Sequence, residues 1–143
     1  MGRDPNCLFC KIVAGEIPCA RVYETEHALA FLDIGPLKPG HLLVIPKAHH
    51  ETLPELPDSV AAETARLLPR LCRAVKKATQ AEGLNVMVNV GPVAGQSVAH
   101  MHWHIIPRHG GDSIAWPWNS QRYEEGAVTL LQDAIAAELR PED

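Results

Sequence analysis

The stretch from His100 to Arg108 reads HMHWHIIPR and alternates two kinds of side chain. At every second position it carries a histidine, namely His100, His102 and His104. A β-strand points successive side chains to opposite faces, so extended backbone here would place the three imidazoles on one face. The other face, which is the natural core face, would carry Met101, Trp103 and Ile105. The alternation therefore predicts a strand with a histidine face backed by a hydrophobic core.

Three interpretations of the histidine face are possible from the residues alone. The imidazoles could be ordinary hydrogen-bonded or solvated side chains, although packing rarely demands strict alternation. They could bind a metal ion, because neutral imidazole is the commonest metal ligand. They could form a catalytic array, because imidazole has a reference pKa of about 6.5 and can act as a neutral nucleophile or as a proton donor.

The loop before the histidines, NVGPVAGQSVAH, favours a phosphate site. Asn89, Gln96 and Ser97 offer side-chain hydrogen bonds, and Gly91 and Gly95 let backbone N–H groups approach an anion. A Walker loop is excluded, because its lysine is replaced by Gln96 and a strand follows where a helix is needed. The loop and the histidines together indicate a phosphate site without a P-loop.

The remaining patterns predict an α+β domain with a five-stranded, mostly antiparallel sheet. Strands are predicted at Ala20–Glu24, Ala28–Ile34, His41–Lys47, Asn85–Val90 and Ala99–Pro107. A short N-terminal helix, one long helix and a C-terminal helix are predicted at Cys7–Gly15, Ser59–Glu82 and Glu124–Leu139. Pro69 predicts a kink in the long helix, and Gly83 is expected to end it.

The length and the charge restrict the class of protein. The 143 residues predict a single domain, with a core over about 7–108 and a C-terminal loop and helix over 109–143. The net charge of −4, from 13 basic and 17 acidic residues without a long basic run, argues against a nucleic-acid or membrane-surface protein. The N-terminus lacks the apolar core of a signal peptide, and no apolar run approaches a membrane span of about 20 residues. We therefore expect a soluble, cytoplasmic protein.

The cysteines add a separate signal. Cys7 and Cys10 form a C-x-x-C pair, which is typical of metal or redox chemistry. Cys72 lies in an apolar helical pattern and is predicted to be a core thiol, and Cys19 has no partner at an informative spacing. Disulfides are not expected in a reducing cytosol.

Several blocks of the chain resemble the histidine triad (HIT) family. HMHWHII matches the motif H-φ-H-φ-H-φ-φ, in which φ is apolar. CLFCKIVAGEIP, ALAFLDIGPLKPGHLLVIPKAH and NVMVNVGPVAGQSVAHMHWHIIPR resemble the conserved blocks of the family in the same order. The resemblance is strongest to nucleoside phosphoramidases and bacterial HIT hydrolases. It implies a single HIT-like domain that hydrolyses or transfers nucleoside monophosphates from substrates of the form NMP–X.

The resemblance also implies catalytic roles. The middle histidine, His102, would attack the α-phosphorus and become nucleotidylated, and His104 would contact the phosphate. His100 and His41 would support the nucleophile from behind, and Ser97 would lie near the leaving group.

A second set of residues matches the nucleotide-binding positions of the family. Asp33 would accept the ribose hydroxyls, and Asn89 and Gln96 would lie around the phosphate. The apolar slot for a purine base would be formed by Leu8, Phe9, Ile12, Phe31, Leu32 and Ile34. Taken singly, Phe9, Phe31 and Ile34 could equally be core residues, and Asp33 could be only a turn residue.

The resemblance extends to a structural zinc, which some bacterial members of the family hold. The matching ligands are Cys7, Cys10, His49 and His100, with His50 as an alternative to His49. Two thiolates and two imidazoles suit tetrahedral zinc and leave no open position for water, so no catalytic metal is expected. If zinc is bound, His100 is a ligand and cannot also be a free proton relay.

Partners and substrate follow from the same resemblance. Family members are usually homodimers joined into one extended sheet, which predicts that Trp116 and Trp118 pack at the subunit contact; they could instead cover the substrate. The expected substrate is a purine nucleoside phosphoramidate, that is, an AMP or GMP conjugate. Dinucleoside polyphosphate hydrolysis, a nucleotide-binding module with little turnover and a metallohydrolase are the alternatives.

Overall fold

A computed structural model describes residues 3–114 and 120–139 of the chain. The strands are β1 (Arg21–Glu24), β2 (Ala28–Leu32), β3 (Leu42–Pro46), β4 (Gly83–Met87) and β5 (Trp103–Arg108). The helices are α1 (Leu8–Val13), α2 (Asp58–Ala65), α3 (Leu68–Thr79) and α4 (Ala127–Ala137), with short 3-10 turns at Leu53–Glu55 and Pro92–Ala94. Trp116 and Trp118, which we predicted at a subunit contact, lie outside the described residues.

The five strands form one sheet in the order β1-β2-β3-β5-β4. Each pair of neighbours in this sheet is antiparallel. The predicted α+β fold with a five-stranded antiparallel sheet is therefore confirmed. In this order β5, which carries the end of the histidine stretch, lies between the central strand β3 and the edge strand β4.

The two faces of the sheet are covered by different helices. On one face, Ala30, Val44 and Ile105 pack against α3 and α4, which contribute Leu71 and Ile135; we call this the α3–α4 face. The opposite face, which we call the α1 face, buries residues from α1 and from alternate strand positions: Phe9, Cys10, Ile12, Leu29, Phe31, Leu43 and Ile45. Both faces are hidden from water, so β2 and β3 are apolar without interruption.

The histidine stretch keeps its alternation but begins its regular pairing late. Strand β5 starts at Trp103, so the predicted strand from Ala99 was too long at its N-terminal end. Trp103 and Ile105 pack on the α3–α4 face as expected. The register pairs Leu43 with His104, which places His104 on the α1 face. The histidine face is also buried, because α1 covers it, and the sequence did not indicate this.

The predicted long helix over Ser59–Glu82 is interrupted next to Pro69, where we expected a kink, and it ends earlier, at Thr79. The chain forms two helices, α2 and α3, because Pro69 has no N–H to donate to the carbonyl of Ala65, the last residue of α2. Pro69 instead occupies the first turn of α3, where a missing donor costs little. Gln80 ends α3 in the left-handed conformation, and Gly83, which we expected to end the helix, begins β4.

The helices are relevant to the expectation that no segment of the chain spans a membrane. Within residues 3–114 and 120–139, every helix is too short or too polar to cross a bilayer.

Candidate functional site

A cavity of about 330 Å³ opens on the α1 face, and His102 and His104 line it. Both imidazoles are deeply buried, with only 4% and 3% of their surfaces exposed. The apolar part of the wall is formed by Leu8, Phe9, Ile12, Ile17, Pro18, Phe31, Leu43 and Val98. The polar side chains of the wall belong to Cys19, Asp33, Ser97, Ser120 and the two histidines. We call this space the triad cavity.

The contacts of His102 determine where its proton lies. Its Nδ1 is 2.7 Å from the main-chain carbonyl oxygen of His100. A carbonyl oxygen can only accept, so Nδ1 carries the proton and donates it. In the neutral ring, Nε2 then holds the lone pair, and His102 is set up as a nucleophile at that atom.

A second chain of hydrogen bonds determines the tautomers of His41 and His104. The main-chain N–H of Leu37 donates to Nδ1 of His41 over 3.1 Å. The proton of His41 therefore lies on Nε2, which is 2.8 Å from Nδ1 of His104. Because Nδ1 of His104 accepts this hydrogen bond, the ring proton of neutral His104 lies on Nε2. The two hydrogen bonds together make His104 a donor through Nε2.

Burial keeps these imidazoles neutral. Desolvation lowers the pKa of His41 to about 4, although the carboxylate of Asp33 acts against it. Desolvation, followed by the neighbouring imidazoles of His102 and His41, lowers the pKa of His104 to about 2. The pKa of His102 is also lowered by burial, against the opposing effect of its bond to the His100 carbonyl. At neutral pH the triad cavity therefore offers one imidazole lone pair and one imidazole N–H.

Asp33 lies at the edge of the same group. Its Oδ1 accepts a hydrogen bond from the Gly35 main-chain N–H over 2.8 Å, and its Oδ2 is 3.8 Å from Nε2 of His41. The carboxylate is thus oriented by the backbone and remains part of the cavity wall.

The predicted slot residues are brought together around Phe9. The ring of Phe9 meets that of His102 edge to face at 5.1 Å and that of Phe31 at 5.5 Å. Leu8 and Ile12 line the cavity on the same helix, while Ile34 is 77% exposed at its margin. Leu32 reaches the cavity as well, although it packs mainly in the core of the α3–α4 face.

Asn89 and Gln96 do not line the triad cavity and instead hold the loop beside it. Gln96 donates through Nε2 to the main-chain carbonyls of Glu51 and Val98, and its Oε1 accepts from the Gly91 N–H. Asn89 donates to the Gly95 carbonyl over 3.4 Å. Gly95, Ser97 and Val98 are the loop residues that reach the cavity wall.

A second group of side chains lies on the other side of His100. Sγ of Cys7, Sγ of Cys10, Nδ1 of His49 and Nδ1 of His100 lie within 4.8 Å of one another. We call these four residues the Cys–His cluster. The predicted set thus comes together with His49, and the alternative ligand His50 is not among the four residues whose ligand atoms converge.

The spacing of these atoms fits a tetrahedral metal ion. With Zn–S near 2.3 Å and Zn–N near 2.1 Å, a tetrahedron has S–N edges of about 3.6 Å and an N–N edge of about 3.4 Å. Nδ1 of His100 lies 3.4 Å from the Cys7 sulfur, 3.6 Å from the Cys10 sulfur and 3.3 Å from Nδ1 of His49. The Cys10 sulfur lies 3.3 Å from Nδ1 of His49.

The outer atoms of the two imidazoles support the same interpretation. Nε2 of His100 donates to the Pro46 carbonyl over 2.8 Å, which leaves Nδ1 as the acceptor inside the cluster. Nε2 of His49 is 3.9 Å from Oδ2 of Asp4. Metal-bound histidines usually direct their second nitrogen to a carbonyl or a carboxylate in this way. Burial raises the pKa of the Cys10 thiol, so a cation is needed to hold its thiolate.

Sequence reasoning missed several contributors to the site. The N–H of Leu37 and the carbonyl of Pro46 are main-chain groups, whose partners no residue pattern indicates. Ile17, Pro18 and Cys19 line the cavity after α1. Ile17 and Pro18 belong to the block CLFCKIVAGEIP, which also holds predicted slot residues, and this was the only signal for them in the sequence. Cys19 lies outside that block.

Comparisons with known proteins place this site in a family. The HIT domain model matches residues 14–111. The chain is similar to the adenosine 5′-monophosphoramidase hnt1 of Schizosaccharomyces pombe, with 47% identity over 138 residues that cover 94% of this chain and 99% of that protein.

Solved structures agree with this relationship. A Hit-like protein from Bartonella henselae, involved in cell-cycle regulation, superposes with a TM-score of 0.87 at 35% identity, covering 96% of this chain and 99% of that one. A Zn-bound histidine triad family protein from Mycobacterium smegmatis has a TM-score of 0.77 at 39% identity, covering 92% and 94%. Both the matched domain and the full-length similarity show that the chain belongs to the histidine triad (HIT) family.

Proposed function

We propose that this protein is a nucleotide hydrolase or transferase that cleaves NMP–X substrates through a nucleotidylated His102, with purine nucleoside phosphoramidates as its preferred substrates. The main support for this proposal is the 2.7 Å hydrogen bond from Nδ1 of His102 to the His100 carbonyl, which leaves the Nε2 lone pair for attack. The similarity to an adenosine 5′-monophosphoramidase supports the choice of a P–N bond as the one that is cleaved.

The chemistry proceeds in two displacements at phosphorus. Nε2 of His102 attacks the α-phosphorus, the P–N bond breaks, and the leaving nitrogen takes up a proton from solvent and departs as a neutral amine. Because Nδ1 keeps its proton, the nucleotidylated ring carries positive charge, which the His100 carbonyl stabilises. Water then attacks the same phosphorus, releases the nucleoside monophosphate and regenerates neutral His102.

His104 and Ser97 assist at the phosphate. His104 donates through Nε2 to the phosphate as charge develops, and its donor geometry is prepared by His41 and Leu37 before substrate arrives. Ser97 lines the cavity and offers its hydroxyl to the leaving group.

The nucleoside occupies the rest of the triad cavity. The cavity volume of about 330 Å³ lies within the range of about 300–1,000 Å³ that is usual for small-molecule sites. Asp33 accepts hydrogen bonds from the ribose hydroxyls, and the apolar wall around Phe9 and Phe31 takes the base. Asn89 and Gln96 act indirectly in this proposal, by holding the loop that carries Ser97.

The Cys–His cluster is proposed to bind a structural zinc ion. Four protein ligands leave no coordination position for water, so the bound ion would stabilise the fold and would not activate a nucleophile. The Zn-bound relative from M. smegmatis supports this assignment.

We further propose a homodimer that extends the sheet through β4. This strand lies at the sheet edge, and Val86 on it is 42% exposed. An edge strand without charged side chains is a ready template for pairing with a second chain. The sequence of β4, GLNVM, carries no charge.

The decisive experiment traps the covalent intermediate. Adenosine 5′-phosphoramidate labelled at the α-phosphorus is mixed with the protein, quenched in mild alkali, and the label on protein is counted. We expect label on the wild type and on His104→Ala, and none on His102→Ala. His27→Ala, which changes an exposed histidine outside the triad cavity, is the matched control and should retain label.

Turnover and binding assays beside the trapping experiment separate the competing functions. Faster turnover of a dinucleoside polyphosphate than of the phosphoramidate would select that alternative leaving group. Tight AMP binding without release of AMP or trapping of label would instead indicate a nucleotide-binding module. Wild-type turnover by His102→Ala would rule out the proposed nucleophile.

A further inference from the structure

His100 is held at three points. Its Nδ1 faces the Cys–His cluster, its Nε2 donates to the Pro46 carbonyl, and its main-chain carbonyl accepts the proton of His102 Nδ1. The residue is completely buried, so water does not compete for any of these contacts. A displacement of the His100 ring would therefore be transmitted to the carbonyl that orients the nucleophile.

Helix α1 contacts both the Cys–His cluster and the triad cavity. Cys7 caps its N-terminus and Cys10 lies one turn on, and both thiols belong to the Cys–His cluster. Between them, Phe9 packs against His102 at 5.1 Å and against His100 at 5.8 Å. Helix α1 and its N-cap thus supply two residues of the Cys–His cluster and part of the wall of the triad cavity.

This helix is too short to hold its own conformation. It has six residues, and isolated helices of fewer than about 12 residues are marginal in water. Its position on the sheet depends on the burial of Phe9, Cys10 and Ile12 and on the cluster.

A bound cation would tie the four side chains of the cluster together more tightly than a proton does. Because Nε2 of His100 donates to Pro46, Nδ1 presents a lone pair, and it lies 3.3 Å from Nδ1 of His49. Two facing lone pairs repel each other unless a proton or a metal ion lies between them. Without a metal ion, a single proton between these two nitrogens must replace four metal–ligand bonds, so the cluster would hold the His100 ring far less tightly.

We propose that His100 is a positioning residue through which the occupied Cys–His cluster sets the orientation of His102 and the wall of the triad cavity. Metal occupancy then controls nucleotide affinity and nucleophilic attack, in addition to stability. The inference rests on the proposed function for its effect on turnover. Its effects on the His102 tautomer and on AMP binding can be measured separately.

The test compares Cys10→Ser with Cys72→Ser. Cys72 lies on α3, partly buried against the other face of the sheet, and serves as the matched control. Zinc content is measured by mass spectrometry, folding by circular dichroism, the His102 Nδ1–H signal by ¹⁵N-resolved NMR, and AMP affinity by calorimetry. Wild-type protein treated with a zinc chelator and then reloaded with Zn²⁺ gives a second route if Cys10→Ser does not fold.

We expect metal-free protein that is still folded to lose the His102 Nδ1–H signal and to bind AMP about tenfold more weakly. Reloading with Zn²⁺ should restore both readouts in the wild type, and Cys72→Ser should match the wild type. An unchanged signal and unchanged affinity in folded, metal-free protein would overturn the inference. Absence of turnover in zinc-loaded wild type would count against the proposed function alone, because the NMR readout does not depend on it.

Discussion

Nε2 of His41 and Nδ1 of His104 lie 2.8 Å apart, and the direction of their hydrogen bond is determined by the main chain. The Leu37 N–H donates to the other nitrogen of His41 over 3.1 Å, so His41 can only donate to His104. The Leu37 amide, in the loop that follows β2, thus determines which nitrogen of His104 carries a proton. His104, the proposed donor to the phosphate, thus has its Nε2 proton in place before substrate binds. The contribution of His41 to this tautomer can be tested by substitution.

Replacing His41 should impair turnover through the tautomer of His104. His41→Ala removes the donor, and we expect kcat to fall about 10–100-fold with a smaller change in KM. His41→Gln should recover much of the loss, because its amide can accept from Leu37 and donate to His104. Steady-state kinetics on the phosphoramidate, with melting temperatures as a check on folding, would measure this; equal losses in the two variants would contradict it.

Stability should fall as the pH is lowered from about 6.5 towards 4. An unfolded imidazole has a pKa of about 6.5, whereas burial lowers the pKa of His41 to about 4 and that of His104 to about 2. In this interval the unfolded state binds more protons, so each group contributes a slope of about 1.4 kcal/mol per pH unit to the free energy of unfolding. Above pH 6.5 this contribution is fully present and no longer changes.

Urea denaturation between pH 4.5 and 7.5 measures that slope. His41→Gln removes one of the buried imidazoles, so its slope should be smaller than the wild-type slope by about 1.4 kcal/mol per pH unit. His27→Ala removes an exposed imidazole and should leave the slope unchanged. Identical profiles for the wild type and His41→Gln would show that His41 is not held neutral in the fold.

The base should contribute little specificity. Leu8, Ile12 and Phe31 present only apolar atoms to the cavity, and a slot without hydrogen-bonding side chains discriminates weakly between bases of similar size. We expect adenosine and guanosine phosphoramidates to differ by less than about tenfold in kcat/KM. A difference above about a hundredfold would mean that a polar group reads the base edge.

Alternation was the most informative signal in the sequence. It predicted correctly that His104 and Ile105 face opposite sides, because side-chain alternation requires only extended backbone. It did not predict that regular pairing begins at Trp103, because pairing depends on a neighbouring strand that the local pattern does not describe. The cover provided by α1 over the histidine face is likewise a long-range contact.

The errors in the helix and in the loop have the same origin. Pro69 predicted a kink, but the local pattern did not show that α2 would end at Ala65 and that α3 would begin at Leu68. Gln96 was matched to the phosphate by its place in the loop, but its amide finds main-chain partners at Glu51 and Gly91. A flexible amide takes whichever partners the folded loop brings near, and sequence position does not define them.

The end of α3 offers a stabilising substitution. Gln80 has a φ of 57°, in the left-handed region that costs residues with a Cβ about 1 kcal/mol. Because Gln80 is exposed, Gln80→Gly should raise the free energy of unfolding by about 0.5–1 kcal/mol in urea denaturation. Gln80→Ala keeps the Cβ and is the control; a gain of the same size in Gln80→Ala would exclude backbone strain as the cause.

A charge on the edge strand should prevent the proposed dimer. In a sheet extended through β4, the exposed Val86 would lie against the second chain, and Val86→Lys would force two ammonium groups into that contact. We expect light scattering to report a dimer for the wild type and a monomer for Val86→Lys at micromolar concentration. Leu130→Lys on α4 changes a residue that is 73% exposed and lies away from β4, so it should remain dimeric. If Val86→Lys is still dimeric while Leu130→Lys is monomeric, the subunits associate through the helical face and β4 is free.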